Sequence, residues 1–205
     1  MAVVADESSE FTRRQQCIDV LCGYLRLPYD PEQGHSHRTE LVTTTTRPAE
    51  PPATSIEEQV HQRIRQNDRE VRQTIVRIIS AHLQPEAPIN WSGHDYDFTG
   101  VLFEDASFAG AAFSGETATF TRAKFSGQTT TFTGATFSGQ TTTFDWAPFS
   151  SQTTRFGEPT FKAANLFPFE SPRAWNNVTF DWDYSGQGDL PECIHPREWP
   201  LQVDS

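Results

Sequence analysis

Phenylalanine falls on a ruler through the middle of this chain. It stands at Phe98, Phe103, Phe108, Phe113, Phe120, Phe125, Phe132, Phe137, Phe144, Phe149, Phe156 and Phe161, twelve of the sixteen in the sequence. The intervals are three fives, then sevens and fives in strict alternation. A fixed period signals a repeat architecture, in which each unit buries its apolar side chains against the next. A helix is excluded, because steps of five and seven would scatter the rings around its circumference.

Two positions before most of these rings sits a small residue. Ala106, Ala111, Ala118, Ala123, Ala135 and Ala147 fill that slot, and Thr130, Thr142 and Thr154 fill it elsewhere. Side chains two apart on an extended strand share a face, so each unit turns one large and one small group inward. Units such as Ala106-Ser-Phe-Ala-Gly and Ala111-Ala-Phe-Ser-Gly resemble the bacterial pentapeptide-repeat proteins. The resemblance implies a right-handed, four-sided parallel β-helix over residues 91–164, with the central ring and the small residue before it facing the core. The expected class is therefore mainly β, with an α attachment.

The chain departs from that family by adding two residues to alternate units, as in Phe125-Ser-Gly-Gln-Thr-Thr-Thr-Phe132 and Phe137-Ser-Gly-Gln-Thr-Thr-Thr-Phe144. Sides of five, seven, five and seven make a repeat of 24. That repeat predicts columns Phe108–Phe132–Phe156 and Phe113–Phe137–Phe161, with successive coils about 4.8 Å apart. Gly115, Gly127 and Gly139 fall at the expanded corners, where a positive φ is expected of them.

Upstream, residues 1–29 are expected to hold one helix, over 9–27. Phe11, Ile18, Leu21 and Leu25 lie near helical spacing and Pro28 ends it. Residues 30–54, with Gly34, four threonines at 43–46 and Arg47-Pro-Ala-Glu-Pro-Pro-Ala, read as a flexible linker. A second amphipathic helix is expected within 55–84. Thr54 and Ser55 start overlapping capping boxes with Glu57 and Glu58, and Ile56, Val60, Ile64, Val71, Ile75, Ile78 and Ile79 line one face. The two helices align at an offset of 58: Arg14-Gln15 with Arg72-Gln73, Ile18 with Val76, Leu21 with Ile79, Leu25 with Leu83. Their apolar faces are expected to pack together. Some pentapeptide-repeat proteins carry such helices before the coil, with more helices and sometimes membrane spans upstream; on that likeness this chain starts late.

Residues 165–205 break the ruler. Pro168, Pro172, Pro191, Pro196 and Pro200 are set among Phe167, Phe169, Phe180, Trp175, Trp182 and Trp199. Proline is a poor ladder residue, so the segment is expected to cap the open end of the coil, with Val178-Thr-Phe180 adding one irregular side.

Little here is catalytic. No phosphate loop, nucleophile elbow or HExxH is present. Cys193-Ile-His195 and His35-Ser-His37 look metal-like without supplying a recognisable ligand spacing, so no metal or cofactor is expected. Cys17 and Cys22 read as core fillers, and three cysteines do not make a disulfide framework. Asp95/Asp97 and Asp181/Asp183 straddle aromatics, where solvated acids are commoner than catalytic ones. No run of 18 apolar residues occurs and the first residues do not read as a secretory signal, which points to a reduced, cytoplasmic chain.

The expected role is non-catalytic: an interaction or scaffold module with an unidentified protein partner, self-associating through its helices or coil end. Some pentapeptide-repeat proteins resemble acidic duplex DNA and bind type II topoisomerases. The net charge of −11 suits that reading, but residues 106–162 carry three acids (Glu116, Asp145, Glu158) against four bases (Arg122, Lys124, Arg155, Lys162). A phosphate-like stripe needs carboxylates on the coil itself, so nucleic-acid mimicry and nucleic-acid binding are both disfavoured. A third reading is ice or crystal-surface binding through Thr129, Thr131, Thr141 and Thr143. It is weakened because the two Thr blocks are expected on different sides of a 24-residue coil.

Overall fold

The structure, a computed structural model, describes residues 1–8, 10–31, 40–47, 56–63, 68–157, 160–161, 167–168, 178–179 and 194–195. Its helices are α1 (Ala2–Glu7), α2 (Phe11–Leu25) and α3 (Asp68–His82). The strands β1 (Glu40–Arg47) and β2 (Ile56–Arg63) pair antiparallel, Glu40 opposite Arg63 and Arg47 opposite Ile56. This corrects two expectations at once. Residues 40–47 are a strand inside the supposed linker, and 56–63 are a strand where the second helix was expected to begin. The reason lies in the spacing. Ile56, Val60 and Ile64 are four apart, a step that keeps one face of a helix and equally one face of a strand. The β-branched run Thr43–Thr46 favours the strand. Residues 32–39 and 48–55 lie outside the described residues.

In α2 the inward residues are Cys17, Ile18, Leu21, Cys22 and Leu25, and the helix ends at Arg26, whose N–H reaches the Cys22 carbonyl. Phe11, expected on that face, sits at the helix start, 60% exposed, with its ring flat on His94 at 4.2 Å. In α3, Asp68 and Glu70 occupy the first turn and His82 the last, as the helix dipole favours for acids and cations. Arg72, Ile75, Val76 and Ile79 are buried on it, and Leu83 just beyond. The six apolar residues matched at offset 58 are therefore all buried, and they belong to one apolar cluster.

From Tyr96 onward the chain lays down short parallel strands in a repeating arrangement. β3 (Tyr96–Asp97), β6 (Thr117–Thr119) and β10 (Thr141–Thr143) form one column, and β4 (Leu102–Glu104) pairs with β7 (Lys124–Ser126) in the next. β8 (Thr129–Thr131), β11 (Thr153–Arg155) and β14 (Val178–Thr179) make a third column, and β5 (Ala112–Phe113), β9 (Thr136–Phe137) and β12 (Thr160–Phe161) a fourth. The registers are Thr154 on Thr130, Phe137 on Phe113 and Thr142 on Ala118, each a return of 24. The first return is shorter. Tyr96 pairs with Ala118 and Phe103 with Phe125, a step of 22, because the chain between Phe103 and Phe108 lacks the two residues present between Phe125 and Phe132.

Every ring of the ruler from Phe98 to Phe156 is buried, as are Ala106, Ala111, Ala118, Ala123, Ala135 and Ala147. The rings stack in register, Phe108 on Phe132 at 5.3 Å, Phe132 on Phe156 at 4.9 Å, Phe113 on Phe137 at 5.3 Å. Phe161 pairs with Phe137 through the backbone, and its side chain lies outside the described part. Thr130, Thr142 and Thr154 are buried in the small-residue slot, and Thr130 shares a hydrogen bond with buried Ser151 at 2.8 Å.

The corners differ from expectation. Gly127 has φ +91°, but Gly115 and Gly139 have no positive φ. They are glycine because the backbone passes too close. A Cβ on Gly115 would strike the His94 carbonyl, and one on Gly139 the Gly115 carbonyl. Positive φ instead falls two residues after the ring, at Gly100, Gly110 and Gly134, and at Asp105, Arg122 and Trp146. Five of these turns close with an N–H reaching back three residues, as Val101 to Phe98 and Ala123 to Phe120.

Within the C-terminal segment, Val178–Thr179 adds a further side as expected, whereas the pairing of a proline-containing strand was not expected. Val178–Thr179 continues the third column on Thr154 and Arg155, again 24 residues on, and β13 (Phe167–Pro168) pairs parallel with β15 (Ile194–His195). Proline is tolerated there because both members of that two-stranded ladder are edge strands. The remainder of 165–205, including Phe180 and the tryptophans expected to cap the coil, lies outside the described residues.

Candidate interaction surface

With rings and small residues pointing in, the alternate positions point out, and the strands decide which side chains share a row. In the first column Thr141 lies over Thr117 and Thr143 over Thr119. In the third, Thr153 lies over Thr129, and Arg155 over Thr131, which in turn bridges Ser107. The two Thr blocks do occupy different columns, but each sits on a second Thr-x-Thr or Thr-x-Arg unit rather than alone. The hydroxyls repeat at about 4.8 Å between rungs and about 6.8 Å along a strand. β-branching fixes their χ1, so each row is stiff.

One corner stands apart. Gly100, Arg122 and Trp146 occupy equivalent positions on successive rungs, with φ +69°, +57° and +57°. A non-glycine residue costs roughly 1–2 kcal/mol in that conformation. Arg122 is exposed, its N–H bonding the Asp145 carbonyl at 2.7 Å, and Trp146 is 44% exposed. The corner thus sets Trp146 one rung above Arg122, beside the Thr119–Thr143 row.

The acids singled out by sequence are engaged in construction. Asp95 accepts the Thr117 N–H at 2.8 Å. Asp97 accepts the Thr99 N–H at 3.0 Å and pairs with Arg26. Asp181 and Asp183 lie outside the described residues. Cys17 and Cys22 are buried free thiols, and burial, with Asp19 nearby, pushes Cys22 up to about 12. Such a thiol is a packing group rather than a nucleophile. Among the described residues no three His, Cys, Asp or Glu side chains converge as metal ligands. His35, His37 and Cys193 fall outside them, and His195 is placed only as backbone in β15.

The Ile and Val stripe of α3 is largely used: Ile75, Val76 and Ile79 are buried and Val71 is exposed. Exposed apolar groups lie instead at Met1 just before α1, at Val3 and Val4 on α1 and at Val20 on α2. One further element, α1, escaped sequence reading. α1 has no side-chain cap and no amphipathic length to betray it. Its Asp6 binds Trp91 and His82, partners 85 and 76 positions away.

No helix among the described residues is long and apolar enough to cross a membrane. Compared with known proteins, the chain matches no family model, no curated protein and no solved structure.

Proposed function

We propose that this chain is a non-catalytic interaction or scaffold module, built on a right-handed four-sided β-helix of pentapeptide-repeat type and working in a reduced cytoplasm. The supporting observation is how the ionisable groups are used. Asp95, Asp97 and Asp105 hold the backbone together, while the outward rows are mostly threonine and serine, with Lys124 and Arg155 among them and an Arg122–Trp146 corner beside them. A rigid wall with an exposed aromatic and a guanidinium suits recognition, since tryptophan and arginine are the residues that most often anchor protein interfaces. The partner is a protein that stacks on Trp146 and offers a carboxylate or carbonyl to Arg122. The test is affinity capture with the intact chain beside Trp146→Ala and a wall variant, Thr129→Lys with Thr153→Lys. Loss of one defined partner from Trp146→Ala alone supports the reading. Identical capture by all three overturns it.

A second reading, binding to ice or another crystal face, is favoured by one observation: Thr-x-Thr lies over Thr-x-Thr between β10 and β6. Thermal-hysteresis measurement separates the two, because crystal binding shapes growing ice and protein recognition does not. Nucleic-acid mimicry gains no comparable support, as residues 106–162 carry four bases against three acids.

A further inference from the structure

We propose that the hairpin β1–β2 joins two copies of this chain, edge to edge through β2, into one antiparallel four-stranded sheet. The hairpin belongs to a compact unit of its own, Pro28–Val71. Among the described residues each of its strands has one ladder partner, the other strand, so each keeps an open edge. Such an edge is a row of unpaired N–H and C=O groups, a template for another chain. Two strands alone make a marginal sheet in water, and further strands remove that weakness. The Arg122–Trp146 corner plays no part in this pairing.

The occupant is a second copy because β2, Ile56–Arg63, complements itself in charge. A two-fold axis sets one residue of an edge strand opposite its own counterpart. With Val60 at the axis, Glu57 stands opposite Arg63 of the second copy, and Arg63 opposite its Glu57. Within the hairpin Arg63 already stands opposite Glu40. Residues directly opposite share a face of the sheet, so the joined sheet carries the row Glu40, Arg63, Glu57 twice, acid beside base beside acid. Opposite charges facing across strands stabilise the pair, and like charges destabilise it. Parallel pairing of β2 in register would instead set Glu57 on Glu57 and Glu58 on Glu58.

The other edge offers no such match. The axis cannot fall between two residues, because residues directly opposite must both turn their N–H and C=O to the shared edge or both away. Glu40 and Arg47, which end β1, therefore never meet directly across it. Centred on Thr43 or Thr44, a pair of β1 strands leaves both of them without an opposite charge. The charges on β2 thus act in two ways. They discourage pairing with unlike strands, and they admit the one register that matches.

The experiment is sedimentation equilibrium of the full chain, with Glu57→Gln and Glu57→Arg beside it. The parent should form a dimer and nothing larger, and the dimer should weaken as salt is raised. Glu57→Gln removes both attractive pairs from each dimer, and Glu57→Arg makes them repulsive. Kd should rise about fivefold for the first and about twentyfold for the second. Val60→Cys, in a Cys193→Ser background, reads the register under mild oxidation. Its two Cα atoms would lie roughly 4.5–5.5 Å apart across the axis, within disulfide reach. A covalent dimer should form there and not from Thr43→Cys or Thr44→Cys. A parent that stays monomeric, a Glu57→Arg chain that associates as well as the parent, or cross-linking through position 43 or 44 in preference to 60 would overturn the proposal. If Val60→Cys does not fold, the ranking of Kd across the Glu57 series decides alone.

Discussion

Arg14 and Arg72, 58 positions apart, make the same contact. Arg14 donates to Ala5 and Ser8, the carbonyls that end α1. Arg72 donates to Leu25, and within 3.5 Å to Tyr24 and Leu27, the carbonyls that end α2. Each guanidinium thus donates to carbonyls at a helix C-terminus, where a cation also suits the dipole. Arg72 adds a longer reach to the Leu102 carbonyl on β4, tying the helices to the first rung.

The two arginines should not cost the same to remove. Arg72 is buried and Arg14 only partly so. Truncating Arg72 strands the buried Leu25 carbonyl and removes a donor from the partly buried carbonyls of Tyr24, Leu27 and Leu102, and a buried acceptor left unpaired costs about 1–3 kcal/mol. Arg72→Ala should therefore lower stability by roughly 3 kcal/mol and Arg14→Ala by about 1 kcal/mol. Urea unfolding checks it. Equal losses would show that Arg72 is placed by packing alone.

Phe132 is fully buried, with parallel rings above and below it at 4.9 and 5.3 Å. Truncation empties the middle of a column whose walls are tied by the ladder and cannot collapse. Phe132→Ala should cost about 3–5 kcal/mol, the range for a buried aromatic. A loss under about 1 kcal/mol would mean the column is not stacked in this register.

The repeat was legible because nothing but stacked strands keeps a ring every five or seven residues. Even the 22-residue first return is written in the three opening fives, where later rungs alternate five and seven. The hairpin was not legible. Ile56, Val60 and Ile64 satisfy both periods, and two capping boxes tilted the choice toward helix. On the surface, the Thr rows were visible as letters, but which Thr lies over which depended on the pairing. Arg122 and Trp146 occupy a slot that Gly100, Gly110 and Gly134 fill elsewhere, a substitution readable from sequence once the corner is known to need positive φ. The Asp6–His82–Trp91 contact had no local signal at all.

His94 predicts an acid limb in the stability. It is buried against Phe11, and its Nδ1–H donates to Gln15 Oε1 at 3.2 Å. Burial, and then the Arg14 guanidinium, hold it below the ordinary histidine value of 6.5. Between that depressed value and 6.5 the unfolded chain binds a proton and the folded chain does not. Stability is therefore lost as pH falls through this window and unaffected by His94 above it. The denaturation midpoint of the intact chain should drop between pH 7 and pH 5 relative to His94→Gln. Parallel pH profiles would contradict this.

The two kinds of corner glycine should respond differently to a methyl group. Gly134→Ala meets only the Gly110 backbone at an ordinary contact distance of 3.9 Å but must hold φ near +67°, costing about 1–2 kcal/mol. Gly139→Ala meets the Gly115 carbonyl, so backbone must move and the whole expanded corner with it, at up to about 3 kcal/mol. Arg122→Gly runs the other way. It relieves roughly 1–2 kcal/mol of backbone cost and adds back about 0.5–1 kcal/mol of chain entropy. Thermal melting should rank Arg122→Gly at or slightly above the parent, and Gly139→Ala lowest.

Asp105 makes the change from a 22- to a 24-residue rung possible. Higher up, the N–H groups of Gln152 and Thr153 find the carbonyls of Gly127 and Gln128 at 3.0 and 2.9 Å. One rung lower the shorter wall has no such residues, and Gln128 and Thr129 donate to Asp105 Oδ1 at 2.5 and 3.2 Å instead. The carboxylate replaces two missing carbonyls. Its φ of +55° is one that aspartate tolerates better than most residues. Asp95 does the same at the other expanded corner, taking the Thr117 N–H, while Thr141 one rung above bonds the Glu116 carbonyl. Asp105→Ala removes the acceptor and leaves alanine with positive φ. Water can reach part of the exposed corner, which places the loss near 2 kcal/mol. Asp105→Asn keeps an oxygen in place and should lose less than about 1 kcal/mol. Urea denaturation of the pair discriminates: if alanine and asparagine cost the same, the oxygen is not what bridges the two rung lengths.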